Sequence, residues 1–304
     1  MEGCVLDGLE RLAAVYPQGG YDRTLRAHLG RFFPADGRLL AETPRSEPHD
    51  DAIDNIESTL MFAPLARFDP HHPWLDRAIS YWQDHTGRDG ILLDGSMLSA
   101  EGSYTIAYPM ARLAARRGDP TLATAALRQL EARREHLWHD GALWLRWYPA
   151  TGECTFRNWA RGVTWHFLGT VRTAQEVVGD DRLGPLLTDV QRLAALVLRT
   201  QRADGLWNCF LDDSAGVADT SGSAGIATAL ALAARAGWIG QDALAAATRT
   251  SQGLLPYMTA DGRLGGVAQS NRGGEALQRS DYRVLSAMGA GLAAQLHAAL
   301  VPLP

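Results

Sequence analysis

A chain of 304 residues, 46% apolar and 21% charged with a net charge of −5, can bury one large core or two small ones. It contains no lysine, all 29 basic side chains being arginine. That excludes lysine Schiff-base and pyridoxal chemistry and the P-loop lysine, each of which needs a primary amine.

Helical periodicity dominates from the first residues on. The pattern predicts helices over 5–16, 21–33, 50–67, 74–86, 101–117, 121–138, 159–178, 183–201, 219–236, 241–259 and 281–299. In the sixth of these, Pro120 takes a first-turn position after Asp119, and Leu122, Ala126, Leu127, Leu130 and Leu137 fall on one stripe. Residues 35–50, bracketed and broken by Pro34, Pro44 and Pro48, form the one segment expected to be flexible. The whole of 1–304 is read as a single domain, since no linker or low-complexity tract divides it.

Four breaks share an Asp-Gly turn: Asp89-Gly90, Asp140-Gly141, Asp204-Gly205 and Asp261-Gly262, spaced 51, 64 and 57 residues apart. Asp-Gly supplies the positive φ that reverses a chain. Its recurrence before a short strand-like stretch and a new helix indicates a repeated helical hairpin. The expected fold is therefore all-α, an (α/α)6 toroid or barrel. Segment 219–236 is almost entirely small and apolar, as an inner helix requires, whereas 121–138 and 183–201 carry a charged outer face. The long turns then gather at one end of the ring, and chemistry is expected where inner helices begin, at Asp54, Glu101, Arg161 and Ser221.

The chain carries nine tryptophans, about twice the ordinary share. Trp138, Trp144, Trp147, Trp159 and Trp165 crowd into 28 residues, and Trp207 follows the next Asp-Gly turn. Such rings either wedge helices together or offer flat faces to a sugar. Arg161, at a helix start between Trp159 and Trp165, suits a carboxylate or other anion, or a structural ion pair. Asp219 or Thr220 is placed as an N-cap, with Thr220, Ser221 and Ser223 available to a polyol. The nine histidines have no metal-ligand spacing, so the acid–base candidates are Asp54 and Glu101, which could face each other across the cavity. Asp50-Asp51-Ala-Ile-Asp54 has the D-D-x-x-D spacing of a magnesium-diphosphate site, without its partner motif on a later helix.

These residues together resemble the unsaturated uronyl hydrolases of glycoside hydrolase families 88 and 105. The family W-A-R-G-N-G-W stands here as Trp159-Ala-Arg-Gly-Val-Thr-Trp165, its Q-x-x-D-G-L-W as Gln201 to Trp207, and its E-T-S-G-T-A as Asp219 to Ala224. An L-D-N-I-like segment is Ile53-Asp54-Asn55-Ile56, and Gly265-Gly-Val, Asp281-Tyr282 and Gly289-Ala-Gly291 follow in order. The resemblance implies an (α/α)6 barrel that needs no metal or cofactor and hydrates the 4,5-double bond of an unsaturated uronic acid glycoside. An aspartate in a W-x-D-G-L-Y-M-like helix start would donate the proton. Glu101 is the corresponding acid, displaced by one residue relative to Pro109, and Arg146 stands where a histidine is expected. By this reading Asp54 and Glu101 transfer protons, while Trp147, Trp159, Arg161, Trp165, Trp207, Thr220, Ser221 and Ser223 bind the substrate.

The expected partner is a small sugar acid or related anion. The mixed surface charge disfavours nucleic acid, and no apolar run reaches the ~18 residues of a membrane span. Three cysteines outside any C-x-x-C, with an opening MEGCVLDGLERL unlike a secretory signal, point to the cytoplasm. A monomer or homodimer is expected. Three alternatives stay open: a divergent cyclase, isomerase or lyase of specialised metabolism on the same ring, a terpenoid cyclase-like α-barrel, and a non-catalytic sugar-acid sensor.

Overall fold

The computed structural model describes residues 2–42, 47–177, 179 and 181–302. Six inner elements follow one another around a ring: α1 (Glu2–Val15), a 3-10 turn Ile56–Met61 running into α3 (Phe62–Phe68), a π-helical turn Ser103–Ala107 running into α5 (Tyr108–Arg117), α7 (Ala160–Glu176), α9 (Thr220–Arg235) and α12 (Ala287–Leu300). Close packing of α12 on α1 shuts the circle. Outside them lie α2 (Tyr21–Phe32), α4 (Pro73–Asp84), α6 (Pro120–Leu137), α8 (Leu183–Leu198) and α10 (Asp242–Leu254), each against the inner element it follows. The (α/α)6 ring expected from the turn spacing is the architecture found.

Local chemistry accounts for these elements. Asp119 caps α6 by accepting from the amides of Thr121 at 2.9 Å and Leu122 at 3.0 Å, with Pro120 in the first turn. Helix α9 is buried almost throughout because it is built largely of Ala, Gly, Ser and Thr, and Gly225 lets it approach α7 until a Cβ there would strike Thr164. At the four Asp-Gly turns the glycine φ values are +79°, +68°, +82° and +81° for Gly90, Gly141, Gly205 and Gly262, a region that costs other residues energy.

Several boundaries differ from those read off the periodicity. The helix expected over 50–67 begins only at Ile56, after the Asn55 cap, because Asp50 and Asp51 are drawn back to Arg38, each at 3.1 Å. The helix expected from 281 starts at Ala287, and Arg283–Val284 instead form β6, paired with β5 (Val267–Ala268). The helix expected to 259 gives way after Leu254 to a 3-10 turn over Leu255–Tyr257. A short helix, α11 (Gly274–Arg279), lies in the last long turn. The final residue expected in the 159–178 helix lies outside the described residues, as do 43–46 of the segment expected to be flexible. The rest of that segment is anchored: Leu40 donates to the carbonyl of Phe32 at 2.8 Å and Asp51 to that of Leu39 at 2.7 Å.

The long turns that precede inner helices interlock at one end of the ring. Strands β1 (Leu98–Ser99), β2 (Trp138–His139), β3 (Ala142–Trp147) and β4 (Cys154–Arg157) form a small antiparallel sheet around β3. Leu211 donates to the carbonyl of Asn158 at 2.9 Å, and Thr220 to that of Gly266 at 3.2 Å. Those two bonds tie the turns before α7, α9 and α12 into one platform.

Candidate active site

Three carboxyl groups come to this end from separate elements. Glu57 lies in the 3-10 turn Ile56–Met61, Asp94 in the turn before β1, and Glu101 in the turn before the π-helical residues Ser103–Ala107. All three are partly exposed. Burial, then the charges of Glu57 and Asp94, push the Glu101 carboxyl up to about 7 against the opposing pull of Arg146 and Arg161. Asp94 is raised too, by burial and then by Glu57. Like charges gathered at a desolvated site resist ionising together, so one proton is retained near neutrality.

Glu101 stands two residues before the π-helical turn Ser103–Ala107. A π turn holds one residue more than an α turn, which absorbs an insertion without moving the rest of the helix, and such bulges occur often at functional sites. Beneath it, Gly169 of α7 lies against the backbone of Ser103 so closely that a Cβ would collide with it. Arg133 of α6 reaches under Gly102, donates to the carbonyl of Ser99 at 2.8 Å and to that of Gln129 at 2.8 Å, and leaves no room for a Cβ at Gly102. The buried His166 shares a hydrogen bond of 2.7 Å with Ser103. Burial, and then Arg133 and Arg134, lower it to about 3, so it is neutral at physiological pH.

Opposite Glu101 stand two residues from distant elements. Arg146 of β3 lies 5.0 Å from the centroid of the Phe156 ring and donates to Oδ1 of Asn271 at 2.7 Å. Asn271 in turn donates from Nδ2 to Oε1 of Glu101 at 3.3 Å. The sequence alone did not single out Glu57, Asp94 or Asn271. A signal existed for Asp94, since Asp94-Gly95 is a second Asp-Gly five residues after Asp89-Gly90 and Gly95 has φ +60°.

The other candidates are distributed as follows. Asp54 is an exposed loop residue whose Oδ1 lies 2.8 Å from Nε2 of His49. The charges of both Asp94 and Asp54 act on Tyr81, whose phenol is raised to about 12, first by burial. The acids whose charges raise Glu101 are Glu57 and Asp94, and Asp54 is paired with His49 instead. The D-D-x-x-D reading finds its first two aspartates bound to Arg38 and its third to His49. Among the described residues no group of three or more His, Cys, Asp or Glu side chains could hold a metal ion.

Arg161 is buried, donates to the carbonyls of Ala268 and Gln269, and stacks on Trp159 at 4.5 Å. Trp159 is 1% exposed, and its Nε1 donates to Gln278 at 3.2 Å. Trp207 is fully buried and donates to the carbonyl of Val197 at 2.8 Å. Trp165 is buried and stacks on Tyr104 at 5.9 Å, whereas Trp147 is partly exposed and stacks on His136 at 3.9 Å. Thr220, Ser221 and Ser223 are each 0% exposed. Their hydroxyls donate to the carbonyl of Gly265 at 2.7 Å, to Oδ1 of Asp219 at 2.7 Å and to the carbonyl of Asp219 at 2.8 Å. They complete a helix cap and offer no surface to a polyol.

The sequence profile of Glycosyl Hydrolase Family 88 matches residues 101–300, two thirds of the chain, beginning at Glu101 itself. The chain belongs to glycosyl hydrolase family 88. It is a hydrolase of glycosidic substrates on an α/α-barrel. Among solved structures it resembles a possible member of the GH105 family from Klebsiella pneumoniae, at 21% identity over 98% of this chain and 80% of that one with a TM-score of 0.82. A family 105 glycoside hydrolase from C. acetobutylicum matches at 16% identity over 97% and 92%, with a TM-score of 0.82. An unsaturated glucuronyl hydrolase from a Bacillus species, responsible for glycosaminoglycan degradation, matches at 17% identity over 98% and 84%, with a TM-score of 0.71. At these identities the likeness establishes the ring fold. No curated protein sequence matches the chain. No helix among the described residues is long and apolar enough to cross a membrane.

Proposed function

We propose that this family 88 member hydrolyses unsaturated uronic acid glycosides by hydrating their 4,5-double bond, with Glu101 as the proton donor. The observation that carries the reading is the meeting of Glu57, Asp94 and Glu101 at the mouth of the ring, where Glu101 holds a proton up to about 7. The double bond of such a sugar is an enol ether. Protonation at C4 leaves a cation shared by C5 and the ring oxygen. Water adds at C5, and the hemiketal then collapses with loss of the partner sugar.

The first step needs a carboxylic acid that stays neutral near pH 7, and burial among like charges creates one. Asp94 and Glu57 provide negative charge for the oxocarbenium ion and a base for the incoming water. Arg146 and Arg272, whose charges act on these carboxyls, are the cations placed to meet the carboxylate of the sugar. Of Trp147, Trp159, Trp165 and Trp207, Trp147 is the partly exposed ring and is assigned to the sugar face. Trp159, Arg161, Trp165, Trp207, Thr220, Ser221 and Ser223 are assigned to holding the platform. Asp54, exposed and paired with His49, is assigned no part in the proton transfer. All three cysteines are free thiols, which supports a reducing, cytoplasmic setting, and a monomer or homodimer is proposed.

The test is loss of the ene-carboxylate ultraviolet absorbance of mixed unsaturated uronides. Wild-type protein is expected to consume it, and Glu101→Gln to lose about 10²–10⁴-fold in kcat. Because the acid must be protonated, kcat/KM should fall as pH rises through about 7. A fully active Glu101→Gln, or a rate that climbs steadily from pH 6 to 9, would sink the assignment.

A further inference from the structure

Resting on that reading, we propose that Asn271 is a positioning residue for the acid: clamped by Arg146, its amide donates to Oε1 of Glu101 and leaves Oε2 as the oxygen that carries and delivers the proton.

The orientation of the amide follows from donor chemistry. A guanidinium has five N–H donors and no acceptor. The Asn271 atom that meets Arg146 at 2.7 Å is therefore the carbonyl oxygen. The amide nitrogen must then face Glu101, where it lies 3.3 Å from Oε1. An oxygen that accepts from Nδ2 is best filled by the carbonyl of the acid, so the hydroxyl is Oε2. The same bond continues to stabilise the carboxylate after the proton has left, which eases the transfer.

The backbone around Asn271 is held from several directions. Asp219 accepts from the amide of Ala268 at 3.0 Å. Arg161 donates to the carbonyls of Ala268 and Gln269. The buried Gln278 donates to the carbonyls of Gln269 at 2.9 Å and Ser270 at 3.0 Å. Ser270 then caps the 3-10 turn Asn271–Gly273. Arg146 is no less constrained, opposite Ser99 of β1 on one side and Thr155 of β4 on the other. Both ends of the Arg146–Asn271 contact thus sit on fixed backbone, and this is the preorganisation a directed proton transfer requires. The assignment also gives Arg161 and the buried hydroxyls of Thr220 and Ser221 in the first turn of α9 a purpose in the reaction, since they brace the loop that carries Asn271.

Glu101 is faced by Glu57 from the 3-10 turn, Asp94 from the preceding turn, Arg146 from β3 and Arg161 from α7. Changing Asn271 alters none of these charges, apart from the one that an aspartate would add. Carbon-13 NMR of glutamate-labelled protein reads the Glu101 carboxyl directly, its resonance assigned by its loss in Glu101→Gln. In Asn271→Ala the midpoint should move up by roughly half a unit to one unit, because a donor to the carboxylate is gone, and in the isosteric Asn271→Asp by more, because a like charge is added. The alkaline limb of kcat/KM should move by the same increments. We expect kcat to fall about 10-fold or more while KM stays within about 3-fold. An unshifted midpoint in both variants, each with an unchanged Tm, overturns the proposal. A wild-type protein inert on unsaturated uronides overturns the hydrolase reading and the delivery role with it, whereas a shift of the NMR midpoint would still establish the Asn271–Glu101 bond.

Discussion

At the residue scale, Glu101 is held away from its preferred charge state. Burial and the charges of Glu57 and Asp94 push its carboxyl up to about 7 from an ordinary 4.5. A carboxyl raised on folding contributes stability that is fully present below about pH 4.5 and is lost as the pH rises through about 7. Glu101→Gln removes that penalty. The variant should therefore be more stable than the wild type at pH 8, by on the order of 1–3 kcal/mol, and indistinguishable from it near pH 4. Urea melts at the two pH values check this, and an equal difference at both would show that the effect is packing and not charge. Such a stabilised but inactive variant is the expected signature of a carboxyl kept for function.

At the scale of single elements, the turn from Glu101 to Ala107 is shaped by its neighbours more than by its own propensity. A π-helical turn is rare, and this one lies where Gly169 lets the α7 backbone come up against Ser103. Gly169→Ala should force the two apart. We expect a loss of about 2–3 kcal/mol in stability, and a larger fractional loss in kcat than in Tm, since Glu101 sits at the start of the displaced turn. Differential scanning calorimetry beside the uronide assay would separate the two effects. Retention of full activity with a lowered Tm would show that the turn and the acid are mechanically independent.

At the scale of the whole molecule, the axis of the ring is polar. Asp7 of α1 is buried and lies 3.2 Å from Arg11 and 3.8 Å from Arg172 of α7, and it accepts from Tyr104 at 2.5 Å. Tyr104 is bonded in turn to Gln295 of α12 at 3.0 Å, and Arg112 of α5 pairs with Glu10. This network links α1, the π turn, α5, α7 and α12 across the lumen, where apolar packing alone would not specify which helices meet. Burial raises the Asp7 carboxyl, but Arg172, Arg11 and the Tyr104 hydroxyl outweigh it and hold the group down to about 2. Its contribution is therefore present above about pH 4 and is lost as the pH falls from about 4 through 2, about 2 kcal/mol in all. Asp7→Asn should flatten the stability–pH curve in that window. Asp7→Ala, which strands the buried Arg172 and the partly exposed Arg11, should cost about 3–5 kcal/mol at neutral pH. A wild-type curve already flat between pH 4 and 2 would contradict the ion-pair assignment.

What could be read from the sequence were the properties that neighbours within a few residues decide. The 3.6-residue apolar period, the Asp119 and Asp219 caps, and the four Asp-Gly turns with their positive φ values are of this kind. So is the alternation of a small-residue inner helix with charged outer ones, and together these imply the ring. The motifs also offered Glu101 and Asp54 as candidate acids. Which groups would surround Glu101 was not legible, because desolvation and charge are summed over space: Asn271 stands 170 positions from Glu101 along the chain, yet they are hydrogen-bond partners. The same non-locality buried Trp159 and Trp207 as packing elements and turned Thr220, Ser221 and Ser223 into a cap. A side chain's type and spacing record what it can do. Only the closure of the ring decided which side chains meet water and which meet one another.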